Sequence, residues 1–100
     1  MLVNRVDTDK FLSAVSMLKV IAHPVRLAIV DLLTERQKMT LLELQDALDL
    51  EQAIASQQVT LMEQRGVLIS EKIGRNKFVS LRYPKMKNII HCLENCCQEM

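Results

Sequence analysis

Three thiols crowd near the C-terminus, at Cys92, Cys96 and Cys97, with His91 and Glu94 among them. Cys92 and Cys96 stand one helical turn apart, a spacing that suits a thiolate-loving metal or the same residues of a partner helix. Zinc asks for four ligands, so such a site would need two copies of the chain or His91. Two readings of the trio stand side by side: small apolar side chains packed in a seam, and redox-active thiols. Neither calls for a resident metal or another cofactor. A second group lies earlier. Gln52, Ala53, Ser56, Gln57 and Thr60 fall on one side of a helix, with Ala55, Val59 and Met62 on the other. Such an uncharged row of amides, hydroxyls and methyls matches base edges in a major groove. Glutamine bonds N6 and N7 of adenine, Ser or Thr bonds either base, and a methyl meets thymine. The plain alternative is a solvated helix face.

A third group is cationic. Lys72, Arg75, Asn76 and Lys77 bracket a turn, where flexible side chains reach phosphates or enter a narrow minor groove. The alternative is an ordinary charged turn. Charge is unevenly spread: the whole chain carries +1, yet Lys72, Arg75, Lys77 and Arg82 face only Glu71 between residues 69 and 83. Residues 22 to 50 lean the other way, with Asp31, Glu35, Glu43, Asp46 and Asp49 against Arg26, Arg36 and Lys38. Arg26 has two prospects, a DNA backbone contact or pairing with Asp31 or Asp49. No catalytic set is present. His23 adjoins a helix-starting proline and reads as an N-cap, His91 sits on a terminal helix, and Gly74 lacks the companions of a phosphate-binding loop. The chain is expected not to be an enzyme.

The elements that must position these groups follow from periodicity. Phe11, Val15, Leu18 and Ala22 recur at spacings of four and three from about Asp7 to Ala22, one face of a first helix. Pro24 suits the first turn of a second, which carries Leu27, Ile29, Val30 and Leu33. Thr40 followed by Glu43 is a capping box that opens a short third helix with Leu44, Ala47 and Leu48. After a break at Asp49 and Leu50, a fourth runs from Glu51 or Gln52 to Arg65 and is closed by Gly66. Third and fourth form a helix-turn-helix pair. The period then alternates through Val67 and Ile69, turns at Gly74-Arg75-Asn76, and alternates again through Phe78, Val79, Leu81 and Tyr83, a β-hairpin. Pro84 ends it, and Met86, Ile89, Ile90, Leu93, Cys96 or Cys97 and Met100 line a last helix.

With 100 residues, 49% of them hydrophobic and 3% aromatic, the chain makes one domain with a limited core. Its hydrophobic content is too high for disorder, and two glycines and two prolines exclude collagen-like repeats. No apolar run reaches the roughly 20 residues of a membrane span. Asn4, Arg5, Asp7, Asp9 and Lys10 leave no room for a signal-peptide core. The expected place is the cytoplasm, with no membrane partner. An odd cysteine count in a reducing compartment argues against a disulfide framework, so a partner subunit is the expected stabiliser. The apolar faces of the first and last helices are wide enough to cover a second copy.

Four helices, a hairpin and a terminal helix make a mainly α winged helix-turn-helix with a small β-hairpin wing, and here the residues resemble a family. Over roughly residues 15 to 83 the chain is similar to ArsR-type bacterial repressors. Ile21-Ala22-His23-Pro24-Val25-Arg26-Leu27 stands where they have Leu-Ala-Asp-Pro-Thr-Arg-Leu, and Leu44-Gln45-Asp46-Ala47-Leu48-Asp49-Leu50 matches Leu-Ala-Glu-Ala-Leu-Gly-Leu. Gln52 through Leu68 keeps the recognition-helix spacing, and Gly74-Arg75 sits at the wing turn. The resemblance implies a dimeric repressor of double-stranded DNA, a single domain over 1–100. Helices 1–22 and 84–100 would pair the protomers, 40–65 would be the helix-turn-helix and 67–83 the wing. Two half-sites would lie about 34 Å apart. Val25, Glu51 and Gln57-Gln58 depart from the pattern, which predicts an unusual sequence preference. Glu51 repels phosphate but suits a helix N-terminus. Neither family metal site is retained. Thr40-Leu41-Leu42 replaces a Cys-Val-Cys segment, and Tyr83, Lys85, Asn95 and Gln98 replace the ligands at the last helix. The alternative is a winged helix that assembles with other proteins and has given up DNA.

Overall fold

Proline at the first turn of a helix loses no hydrogen bond, so Pro24 fixes a boundary. In the computed structural model, which describes residues 8–99, α1 spans Thr8–Ile21 and α2 spans Pro24–Arg36, with a bend of 101° between their axes. His23 is the N-cap of α2, and its Nδ1 accepts the Val25 N–H at 3.2 Å. Strand β1, Met39–Thr40, leads directly into α3, Leu41–Leu48. The capping box expected there is complete: Thr40 Oγ1 accepts the Glu43 N–H at 3.2 Å, and Glu43 Oε1 accepts the Thr40 N–H at 2.9 Å. Asp49 then takes the left-handed conformation (φ 53°), which closes α3 and frees the chain for α4, Gln52–Gln64. Gly66 follows α4 with φ 78°, as a C-terminal glycine should.

Strands β2, Leu68–Ile73, and β3, Asn76–Leu81, pair antiparallel from Leu68 opposite Leu81 to Ile73 opposite Asn76. Gly74 takes φ 63° at the first central position of the turn, the conformation a type II′ hairpin requires. A single 3₁₀ turn at Pro84–Met86 leads into α5, Lys87–Gln98. Ile29 and Val30 of α2, Leu44 of α3, Met62 of α4 and Val67 ahead of β2 are all fully buried in one cluster. Met86 and Ile90 attach the start of α5 to that cluster. No single helix among the described residues is long and apolar enough to cross a membrane.

The structure corrects one expectation and shows what the α1 stripe meets. The hairpin is part of a three-stranded sheet in the order β1-β3-β2, because Met39 pairs with Val79 and Thr40 with Phe78. A two-residue strand has no alternation of its own to betray it. On α1, the stripe Phe11, Val15, Leu18 and Ala22 does not enter the core: Phe11 and Val15 are half-buried, and Leu18 and Ala22 are exposed. Val20 and Ile21 are buried and Met17 packs against the cluster, so the C-terminal part of α1 reaches the core. The sequence assignments at residues 1–7 and 100, including Asn4, Arg5, Asp7 and Met100, lie outside the described residues.

Candidate nucleic-acid interface

Ala55, Val59 and Met62 of α4 are buried, and burial of that stripe fixes which side of the helix meets solvent. Gln52, Ala53, Ser56, Gln57 and Thr60 are accordingly all exposed. Ala53, Ser56, Gln57 and Thr60 line a shallow groove of about 870 Å³, joined by Gln64 from the last turn and by Arg26 from α2. Gln52 lies in the first turn, outside that lining. Glu51 is the N-cap residue, extended at φ −69°, and its side chain makes no capping bond. Its carbonyl accepts the Ala55 N–H at 3.0 Å.

Arg26 pairs with neither Asp31 nor Asp49. Its Nε donates to Gln58 Oε1 at 3.0 Å and its Nη1 donates to the Val20 carbonyl at 3.0 Å. One guanidinium therefore joins α1, α2 and α4, and it presents a cation at the border of an otherwise uncharged row. The two adjacent glutamines are divided by this contact: Gln58 is half-buried and engaged, Gln57 is exposed. The family-like Pro24-Val25-Arg26 segment is the sequence signal for Arg26. Gln64 was not singled out, although it lies one helical turn beyond Thr60.

At the wing, Lys72 stands directly across from Lys77, and Arg75 and Asn76 occupy the exposed turn. The structure ties Lys77 down: its Nζ lies 3.2 Å from Glu63 Oε1, while the Ser70 hydroxyl donates to Glu63 Oε2 at 2.7 Å. Glu63 belongs to α4, so this carboxylate fastens the wing to the reading helix. A half-exposed ion pair of this kind is worth about 0–1 kcal/mol, weak enough to exchange for a phosphate. Lys72 and Arg75 make no ion pair among the described residues.

Cys92, Cys96 and Cys97 are exposed. The Cys96 thiol is pushed up, chiefly by the charge of Cys92 and by the hydrogen bond between them, with smaller contributions from burial and Cys97. A raised pKa disfavours the thiolate, the reactive form. Among the described residues no three His, Cys, Asp or Glu side chains gather as metal ligands.

A family model described as a helix-turn-helix domain matches residues 21–71. Among solved structures, the chain is similar to the transcriptional repressor PagR of Bacillus anthracis. The TM-score is 0.81 at 29% identity, over 87% of this chain and 99% of that one. HlyU from Vibrio cholerae is similar with a TM-score of 0.79 at 26% identity, over 90% and 97%. NolR from Sinorhizobium fredii, at 20% identity and a TM-score of 0.75 over 94% and 96%, shares the fold. No curated protein sequence matches.

Proposed function

The chain belongs to the helix-turn-helix domain family and is a DNA-binding transcriptional regulator of the ArsR type, and from that premise we propose that it works as a dimeric repressor in the bacterial cytoplasm. Each protomer lays α4 in a major groove, where Gln52, Ala53, Ser56, Gln57 and Thr60 read bases with a bias toward A·T pairs. Lys72, Arg75, Asn76 and Lys77 grip phosphates or the adjacent minor groove. Arg26 adds a backbone contact at the border of the reading face. Catalysis is no part of this role.

The observation that carries the proposal is the pairing, on one molecule, of a buried stripe and an exposed uncharged row on α4 with unpaired cations at the neighbouring turn. Dimerisation rests on a different surface. Leu12 and Leu18 of α1 and Leu93 of α5 are 58%, 49% and 44% exposed, apolar side chains that the helices of a second copy would cover. A groove of about 600 Å³ between α2 and α5, with Leu27, Ile90 and Leu93 in its lining, continues that face. A second copy seated through its α1 and α5 covers it, and the two-fold axis sets α4 of each protomer toward successive major grooves.

Two measurements together test this. Sedimentation should give a dimer at micromolar concentration, and fluorescence anisotropy against the chain's own promoter should show affinity falling by about a thousandfold between about 50 and 200 mM salt. Leu12→Glu with Leu93→Glu should give a folded monomer that no longer binds tightly. A monomeric wild-type chain, or a charged variant that still pairs and binds, would overturn the dimeric reading. A dimer with no promoter binding at low salt would favour a role in protein assembly.

A further inference from the structure

Successive residues of a strand point to opposite faces of a sheet. Ser70 and Lys77 reach Glu63 of α4, so the neighbouring pair Ile69 and Ser80 belongs to the face turned away from the reading helix. A groove of about 710 Å³ lies there, between the end of α2, the root of the wing and the start of α5. Ile69, 45% exposed, gives it an apolar wall, the almost wholly buried Leu33 and Leu81 border its floor, and Arg36, Lys38, Arg82 and Lys87 supply four cations. No aspartate or glutamate lines it. Lys38 reaches Glu71 at 3.4 Å and Arg82 Nε donates to the Tyr83 hydroxyl at 3.2 Å, but Arg36, Arg82 and Lys87 make no ion pair among the described residues, so the Arg82 Nη groups are left for an anion.

The four cations are exposed, and together they give the groove a positive potential that draws anions. The volume falls in the range of small-molecule sites, about 300–1,000 Å³. Arginines suit such a head group because the guanidinium fork bonds a carboxylate or phosphate through two N–H groups at once. The backbone at the rim is unusual as well. Gln37 adopts φ 69° and ψ −54°, and the Lys38 N–H donates to the Arg36 carbonyl at 2.8 Å. This is the rarer, strained form of γ-turn, and such strain is found where function over-determines the backbone.

We infer that this groove is an effector site for a small amphipathic anion, an acyl or aryl group bearing one carboxylate or phosphate. The apolar body lies against Ile69, over the floor bordered by Leu33 and Leu81, and the head group meets Arg36 and Arg82, with Lys38 and Lys87 adding charge. The site touches β2 and β3 at the root of the wing and the chain entering α5. Its occupant thus contacts both the element that grips DNA and the one that pairs protomers. The binding itself stands on the groove alone, whereas its regulatory consequence rests on the DNA-binding reading. Coupling is reciprocal: whatever factor the anion takes from DNA affinity, DNA takes from anion affinity.

The test is a titration of the 100-residue chain with decanoate, followed by amide chemical shifts, with decanol as the neutral control. Shifts are expected at Leu33, Gln37, Ile69, Ser80 and Arg82, with decanol binding at least tenfold more weakly. Arg36→Gln with Arg82→Gln should weaken decanoate about tenfold or more and leave decanol unchanged, and Lys87→Gln, at an exposed helix start, should weaken decanoate about threefold. Should the double variant fail to fold by circular dichroism, the single variant decides. Three results would sink the proposal: decanol and decanoate binding alike, unchanged decanoate affinity in the variants, or shifts confined to the α2–α5 groove, where Asp31, Glu35 and Glu94 would repel an anion. A variant that weakens promoter DNA while decanoate produces no shift makes these cations backbone contacts and overturns the effector site. Decanoate binding without promoter binding would overturn the regulator reading and leave the site standing.

Discussion

The outward row of α4 and the turn of the wing serve one ligand with opposite chemistry. Between Gln52 and Thr60 the exposed row holds amides, hydroxyls and methyls and no charge, whereas the wing turn holds Lys72 and Arg75 without ion pairs among the described residues. Hydrogen bonds to base edges distinguish sequences, and cations near phosphates bind every sequence alike. Discrimination and grip are therefore carried by separate residues, and each can be removed without the other.

The largest effect should come from the wing. Replacing Lys72, Arg75 and Lys77 by Ala should lower affinity about a hundredfold or more at low salt, equally for preferred and scrambled DNA. The slope of log affinity against log salt should shrink by up to about five in a dimer. A loss restricted to the preferred sequence would break the division of labour. Gln57→Ala should act in the converse way, costing about 1–3 kcal/mol on the preferred sequence with an unchanged salt slope; competition binding against scrambled duplexes reads the difference. The smallest effect belongs to the support beneath α4. Thr40→Ala should destabilise the fold by about 1 kcal/mol in thermal melts, with the salt slope intact. The same variant has a signature in acid. The backbone N–H and then the hydroxyl of Thr40 hold the Glu43 carboxyl below its usual range. Its depressed pKa makes the ionised form stabilising in the folded chain, so that stability is present above the ordinary glutamate pKa and lost as pH falls through the folded value. Thr40→Ala keeps the backbone N–H and removes the hydroxyl, so it should shallow the stability–pH curve in that window without abolishing the slope.

The wing and the reading helix were legible in the sequence because their signals are local. Thr40 and Glu43 cap across three residues, Gly66 and Gly74 sit where the backbone turns left-handed, and Ala55, Val59 and Met62 keep one period. The missing parts depend on contacts between distant segments. Strand β1 exists only because β3 lies beside it, and no pattern within Met39–Thr40 could announce it. Arg26 had nearby carboxylates as candidate partners by charge, yet it bonds a glutamine 32 positions away, because α2 and α4 pack together. The α1 stripe was correctly periodic but faces away from the core, since periodicity says which residues share a face and not what that face meets. The exposed apolar surface it leaves is the same surface the dimeric proposal covers.

Thr40 is both the last residue of a strand hydrogen-bonded to β3 and the side chain that starts α3. With no linker between them, sheet and helix share a rigid joint, and Glu63 adds a second strut from the other side. Re-aiming the wing would have to move α3 through the Thr40 joint and break the contacts of Glu63 with Ser70 and Lys77. A change in the distance between half-sites would thus have to be met by the way the two copies lean on each other, and descendants with new operators should differ most in the outer ends of their pairing helices.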